Sequence, residues 1–287
     1  MEIAIISGKG GTGKSCISAA FATLAPRVVL ADCDVDAANM HLIFNPDIEQ
    51  EEIYISGEKA KIESSICNNC GLCADYCRFE AIELKNNKFV INETSCDGCK
   101  LCKHICPLNA ISMIHMDKSR MYSGNFRNGK MVYGWLAPGE ENTGKLVSKV
   151  REKAQEIAKE NKISIIIIDG PPGIGCPVIS SLTGVNHAVI VTEPSLSGIS
   201  DLKRTIEMTS QFNIKTWVII NKYDLNEQVT NDIFNYCSDN NIMLVGKIPF
   251  AHQIVDAMVH CKSIIEHAPY SDIAYEIERI FNTIIHE

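Results

Sequence analysis

The sequence predicts an α/β protein, with a mostly parallel sheet covered by helices on both faces and interrupted by a small α+β insert. Three observations predict it. Near-continuous apolar runs of strand length alternate with helix-length segments, the pattern of strands buried on both faces. A glycine-rich loop follows the first such run directly and leads straight into a helix-like stretch. Between residues 67 and 106 the chain changes character, because eight of its 13 cysteines fall there in two copies offset by 29 residues.

Each element follows from local pattern. Glu2–Ser7 is a short β-branched run, Lys14–Leu24 an alanine-rich helical stretch, and Arg27–Asp32 a second strand. Lys145–Asn161 reads as a helix with Glu and Lys spaced for i,i+4 pairing. Apolar strands are expected at Ile163–Asp169, His187–Thr192, Thr216–Asn221 and Ile242–Ile248. The repeat marks residues 58–116 as a domain inserted between two host parts, 1–57 and 117–287. Ile53–Ile62 and Arg120–Trp135 carry glycine among alternating apolar residues and predict hairpins that join insert to host.

Composition narrows the function. The 287 residues are 46% hydrophobic and 22% charged, ordinary globular values that exclude disordered and fibrous classes. A net charge of -8 and a pI near 5.5 argue against a nucleic-acid partner. No apolar run approaches the ~18–20 residues of a membrane span, and the helical stretch Tyr270–Glu287 is acidic, unlike a membrane-surface helix. Stable membrane insertion is not expected. No export signal precedes the first strand, so a disulfide framework is not expected either and metal binding becomes the reading of the cysteines. The expected location is the cytoplasm.

Gly8-Lys9-Gly10-Gly11-Thr12-Gly13-Lys14-Ser15 fits G-x-x-x-x-G-K-[ST] between a strand and a helix. Glycines let successive N–H groups turn toward phosphate oxygens, and the helix N-terminus adds positive potential. Lys14 can reach the β- and γ-phosphates and Ser15 can ligate Mg²⁺. Gly8 to Cys16 therefore form the candidate nucleotide cradle.

Lys9 makes the loop resemble the deviant Walker A motif of MinD-like P-loop ATPases, the group that includes partition proteins and the nitrogenase iron protein. The resemblance implies ATP with Mg²⁺ and an ATP-sandwiched homodimer in which Lys9 acts in trans beside Lys14 and Asp34 as catalytic residues. It also implies that Asp34 orients the attacking water, and that Asp32 sits near the metal or braces the loop. Asp169, followed by Gly170-Pro171-Pro172-Gly173, resembles a Walker B strand and switch, with Asp169 holding Mg²⁺ through water. Asn221 and Pro249 would flank the adenine. Asn221-Lys222-Tyr223-Asp224 alone also matches the NKxD motif of GTPases, so GTP stays open.

Each half of the cysteine repeat reads C-x2-C-x2-C-x3-C, whereas zinc sites use C-x2-C pairs a dozen or more residues apart. The insert resembles a bacterial-type ferredoxin domain carrying two [4Fe–4S] clusters, in which the fourth cysteine of each run serves the other cluster. The resemblance implies Cys67, Cys70, Cys73 and Cys106 for one cluster, and Cys96, Cys99, Cys102 and Cys77 for the other. Arg78 stands where that family has proline, while Pro107 keeps the pattern. Cys176, seven residues beyond Asp169, reads as a small buried residue, with a thiol at the dimer axis as the sharper alternative.

Taken together, the chain resembles MinD-superfamily ATPases with an inserted ferredoxin domain. The first expectation is an ATPase that couples nucleotide state to electron transfer with a redox partner protein. A cluster assembly or delivery factor, like the Mrp-type carriers, is the alternative, with an apo-acceptor as partner. A positioning ATPase is the third.

Overall fold

The computed structural model describes residues 1–140 and 143–287. Nine strands form one sheet in the order Met243–Ile248, Lys215–Asn221, His187–Thr192, Glu2–Ser7, Ile165–Pro172, Val28–Asp32, Gly129–Trp135, Ser119–Phe126, Asp47–Tyr54. The seven from Met243–Ile248 to Gly129–Trp135 pair in parallel. Side-chain alternation divides their buried residues between two faces. Ile3, Ile5, Ile167, Val189 and Ile219 join one core cluster with helices Lys14–Leu24 and Asp272–Ile285. Their equally buried alternates Ala4, Ile6, Ile168 and Ile190 turn to the opposite side. There helices Thr143–Glu160 and Cys176–Leu182 pack against each other and against Ile165–Pro172.

The C-terminal helix shows why its sequence is amphipathic. Ser271 caps it, and Ile273, Ile277, Ile280, Phe281 and Ile284 recur at helical spacing and are buried. Phe281 meets Phe21 at 5.2 Å between ring centroids. Its apolar face is used inside the protein, and no described helix is long and apolar enough to cross a membrane.

The described chain divides into two compact units. The larger comprises Met1–Glu51, Met121–Gly134 and the segment from Thr143 to Glu287; the smaller comprises Glu52–Arg120 and the segment that begins at Trp135. In the smaller unit Gly57–Ile62 pairs antiparallel with Ile111–Met116, and Ile82–Lys85 with Lys88–Ile91. The second pair turns on Asn86 and Asn87 at φ 49° and 58°, the two left-handed positions of a tight hairpin.

Two local expectations change. Arg120–Trp135 does contain a hairpin, since its strands lie side by side, joined by Arg127 and Asn128. Ile53–Ile62 does not: Asp47–Tyr54 pairs in the large sheet, while Gly57–Ile62 pairs with Ile111–Met116 far along the chain. Alternation shows that a segment is extended but not which strand it pairs with. The strand ending in Asp169 also runs on to Pro172, which pairs with Ser7 beyond a register irregularity between Ile5 and Ser7.

In the smaller unit Glu140 is buried and gathers separate stretches of chain. Ser56 Oγ donates to it at 2.9 Å, the Lys118 N–H at 2.9 Å and the Ser119 N–H at 3.2 Å, and Ser119 Oγ donates as well. Burial alone would raise its carboxyl, but these donors outweigh burial and hold it below its ordinary 4.5. Replacing Glu140 with Gln is expected to cost the smaller unit about 1–3 kcal/mol, read as faster hydrogen exchange in Gly57–Ile62. Because the folded-state value is the lower one, this contribution is full above the unfolded value and fades as pH falls through the folded one. The variant should lose that acid dependence.

Candidate functional site

The glycine loop leaves the strand Glu2–Ser7, which lies between Ile165–Pro172 and His187–Thr192. The chain builds strands on one side of it before crossing to the other, so the loop sits at the switch point of a parallel sheet, where ligands are bound. Gly11 and Gly13 adopt φ of 82° and 92°. A Cβ on Gly13 would lie 2.2 Å from Asn221 Nδ2, so glycine is required by both backbone and neighbour.

Asp169 is the hub of the loop. It is wholly buried and receives Lys14 Nζ at 2.9 Å, Ser15 Oγ at 2.9 Å and Ser18 Oγ at 2.7 Å. Asp34 lies 3.7 Å from the same ammonium. Burial would depress Lys14, but the charges of Asp169, Asp34 and Asp32 more than offset it and hold Lys14 above its ordinary value. Burial also raises Asp34, against the pull of Lys14. Asp32 pairs in register with Asp169, and burial followed by that neighbouring charge pushes it up to about 7. Its oxygens accept the N–H groups of Asp34, Asn39 and Met40, so it braces the loop beyond its strand. Cys16 is half-buried in the first helical turn, and burial together with Asp169 raises its thiol.

A second set of contacts grips the loop from the far side. Lys9 Nζ lies 2.7 Å from Glu193 Oε1 and donates to Ser195 Oγ at 3.0 Å and Ser197 Oγ at 2.9 Å. Within one chain Lys9 is thus tied to the segment after His187–Thr192. Lys222 donates to Gly11 O at 2.8 Å and to Glu193 Oε2 at 3.1 Å, and Asn221 Nδ2 to Thr12 O at 2.8 Å. Thr12 Oγ1 and Asn221 Oδ1 are buried without a partner, a pair of open polar positions that a nucleotide fits. Asp224 Oδ1 accepts the N–H of Phe250, beside half-buried Pro249.

Cys176 corrects the sequence reading, because it is exposed. It opens a helix whose buried residues are Val178, Ser181 and Leu182, so helical periodicity turns the first residue away from the core.

The smaller unit holds two recesses of about 380 and 360 Å³, counting their open mouths. Cys77, Cys96, Cys99 and Cys102 line the first; Cys67, Cys70, Cys73 and Cys106 line the second. Every residue lining the second except Pro107 has its counterpart, 29 positions away, lining the first, and the position matching Pro107 is Arg78. The backbone repeats too: Asn69 and Gly98, Gly71 and Lys100, and Glu80 and Asn109 all have positive φ. The Asn69 N–H donates to Cys67 Sγ at 3.4 Å and the Ala110 N–H to Cys106 Sγ at 3.3 Å.

Among the described residues no three His, Cys, Asp or Glu side chains form a group that could hold a single metal ion. A cubane does not need such convergence. Four thiolates around one zinc stand within ~4 Å of each other, at Zn–S of about 2.3 Å, whereas four cluster thiolates each take a different iron. Thiol donors ringing a recess, with N–H groups directed at sulfur, fit the larger group.

Sequence reasoning missed Glu193, Ser195, Ser197 and Ser18, and singled out Lys222 only as part of the NKxD match, without its contacts to Gly11 and Glu193. The Ser-x-Ser after a strand end and the i+4 serine of the loop helix were visible, but nothing local tells which distant lysine or carboxylate they meet.

The sequence pattern of the CbiA family, the CobQ/CobB/MinD/ParA nucleotide binding domain, matches residues 3–264. An uncharacterized protein of Methanocaldococcus jannaschii is 40% identical over 232 residues, 79% of this chain and 79% of that protein. The septum site-determining protein MinD of Synechocystis is 24% identical over 266 residues, 88% of this chain and 77% of that one. The cell division ATPase MinD of Pyrococcus furiosus superposes with a TM-score of 0.58 at 17% identity, covering 99% of this chain and 98% of the other. MinD of Pyrococcus horikoshii, solved with Mg-ADP, gives 0.56 at 19% identity, covering 99% and 95%. At such identities the likeness to the solved structures is one of fold, an α/β core with a mostly parallel sheet flanked by helices.

Lys14→Met removes the cation that offsets buried Asp169. The expected cost is ~3–5 kcal/mol, measured by denaturant unfolding at buried Trp217 in a Trp135→Phe background. The double variant Lys14→Met/Asp169→Asn should recover much of it, because the two side chains act as a pair.

Proposed function

The chain belongs to the CobQ/CobB/MinD/ParA nucleotide-binding family, and we propose that it is an ATP-hydrolysing homodimer whose nucleotide state governs electron transfer through two [4Fe–4S] clusters. The observation that carries the reading is the coexistence in one chain of a complete phosphate loop and two recesses related by the 29-residue offset, each walled by four cysteines. Mg²⁺ with an adenine nucleotide comes from the family, since a relative of the same fold was solved with Mg-ADP. Lys14 would hold the phosphates, Ser15 and Asp169 would serve Mg²⁺, and Asp34 would orient water. The Lys9 type of loop belongs to ATP users in the family it resembles, which favours adenine.

Bound in the recesses, the clusters would supply one-electron storage. The protein's part is to fix the thiolates on loops bent at left-handed positions and to direct N–H groups at sulfur. The coupling asked of the nucleotide is modest. Moving a one-electron potential by about 100 mV takes ~2.3 kcal/mol, within the ~1–3 kcal/mol usual for linked sites.

Anaerobically purified protein should contain about eight iron and eight sulfide per chain, and Cys106→Ala should halve both. A redox titration with and without MgATP should show a shifted midpoint or an altered rate of reduction. Identical titrations would remove the coupling, and an iron-free protein would remove the clusters. GTP should compete with ATP only weakly.

A further inference from the structure

The ammonium of Lys9 is saturated inside its own chain. A lysine carries three N–H donors, and three oxygens meet them here: Glu193 Oε1 at 2.7 Å, Ser195 Oγ at 3.0 Å and Ser197 Oγ at 2.9 Å. The cradle stands on a firm support. Ser195 caps the helix Leu196–Thr209 by accepting the Gly198 N–H at 3.0 Å, and a Cβ on Gly198 would lie 2.2 Å from Glu193 O. Asp201 of the same helix passes so close to Gly8 that a Cβ there would lie 2.6 Å from Asp201 Cβ, so loop and helix are fitted to each other beside Lys9. The other oxygen of Glu193 faces Lys222 at 3.1 Å, and Lys222 in turn donates to Gly11 O. One carboxylate thus joins the start of the glycine loop, through Lys9, to its middle, through Lys222.

We propose that Glu193 is a latch that keeps Lys9 in its own subunit, and that the nucleotide triphosphate of a second copy of this chain must displace it before the homodimer closes. The inference rests on the homodimer given under Proposed function and adds its control. Lys9 can serve only one set of oxygens at a time, so its contacts at home and its reach in trans exclude each other. Release leaves Glu193 paired with Lys222 rather than bare. The cost of opening is therefore that of one partly exposed ion pair and two hydroxyl contacts. A triphosphate presents more negative charge to the departing ammonium than a diphosphate does, so the latch yields to the one and holds against the other. The strength of the Lys9–Glu193 pair then sets the nucleotide concentration at which two copies join.

The test is the molar mass of the anaerobic full-length protein, read by light scattering across a titration with Mg²⁺ and the non-hydrolysable analogue AMPPNP. Two latches open and two nucleotides bind per dimer, so the analogue concentration at half-dimer moves by the factor of a single latch. Glu193→Gln should lower that concentration about fivefold, the scale of a partly exposed ion pair. Ser197→Ala loosens Lys9 without touching Lys222 and should lower it about threefold. Lys222→Met should not lower it. A Glu193→Gln threshold equal to the parental one, or a Lys222→Met threshold that falls as far, overturns the latch while leaving the homodimer intact. So does a gain wholly accounted for by tighter analogue binding to the monomer, measured with labelled analogue at protein concentrations below dimerisation. Parental protein that stays monomeric with saturating analogue overturns both.

Discussion

Asp169 is the constraint on which the larger unit depends. A carboxylate with no solvent contact is tolerated only when it is paired and fully hydrogen-bonded, and Lys14, Ser15 and Ser18 meet that demand from one face of one helix. The requirement dictates where the glycine loop must end, because Lys14, Ser15 and Ser18 can converge only if the helix begins at Lys14. Gly13 in the left-handed conformation makes that start possible, and small residues at Ala19, Ala20 and Ala22 let the helix lie close to the sheet. Asp32, in register beside Asp169, is pushed up to about 7 by burial and then by that neighbouring charge. The loop is thus held with more carboxylates than its one buried lysine can satisfy, an arrangement suited to a site where a cation joins them.

The smaller unit rests on a different principle. Its buried apolar cluster is Ala60, Ala81, Cys96 and Ile111, edged by Cys73, Cys77, Cys102 and Cys106. Ile62, Phe79, Ile91 and Met113 pack against this cluster among the thiols, and the proposed clusters would add to the stability of so small a core. The twofold repetition suits the proposed clusters, in which one C-x2-C-x2-C-x3-C run would supply three thiols and take its fourth from the other run. The repeat places Cys106 beside the first run and Cys77 beside the second.

Lys9 illustrates how a short motif underdetermines a contact. The motif resemblance assigns it to a partner subunit, whereas within the single chain Glu193, Ser195 and Ser197 surround it. Glu193 holds Lys9 and Lys222 together, and although burial would raise its carboxyl, the two lysines keep it below its ordinary value. A lysine engaged in this way must exchange one set of oxygens for another to reach a second nucleotide.

Much was legible in the chain itself. Strands such as Glu2–Ser7 and His187–Thr192 and the helix Lys14–Leu24 coincide with their local patterns, because strands buried on both faces and an alanine-rich helix declare themselves over a few residues. The phosphate loop was equally plain, since its glycines answer to backbone geometry that no other residue meets. Tertiary structure alone decided what distance along the chain conceals. It separated Asp47–Tyr54 from Gly57–Ile62, exposed Cys176, tied Lys9 to Glu193, and buried Lys59 while leaving its repeat partner Lys88 in water. Local pattern reports how a segment is shaped and which side is apolar; partner choice and burial depend on every other segment competing for the same space.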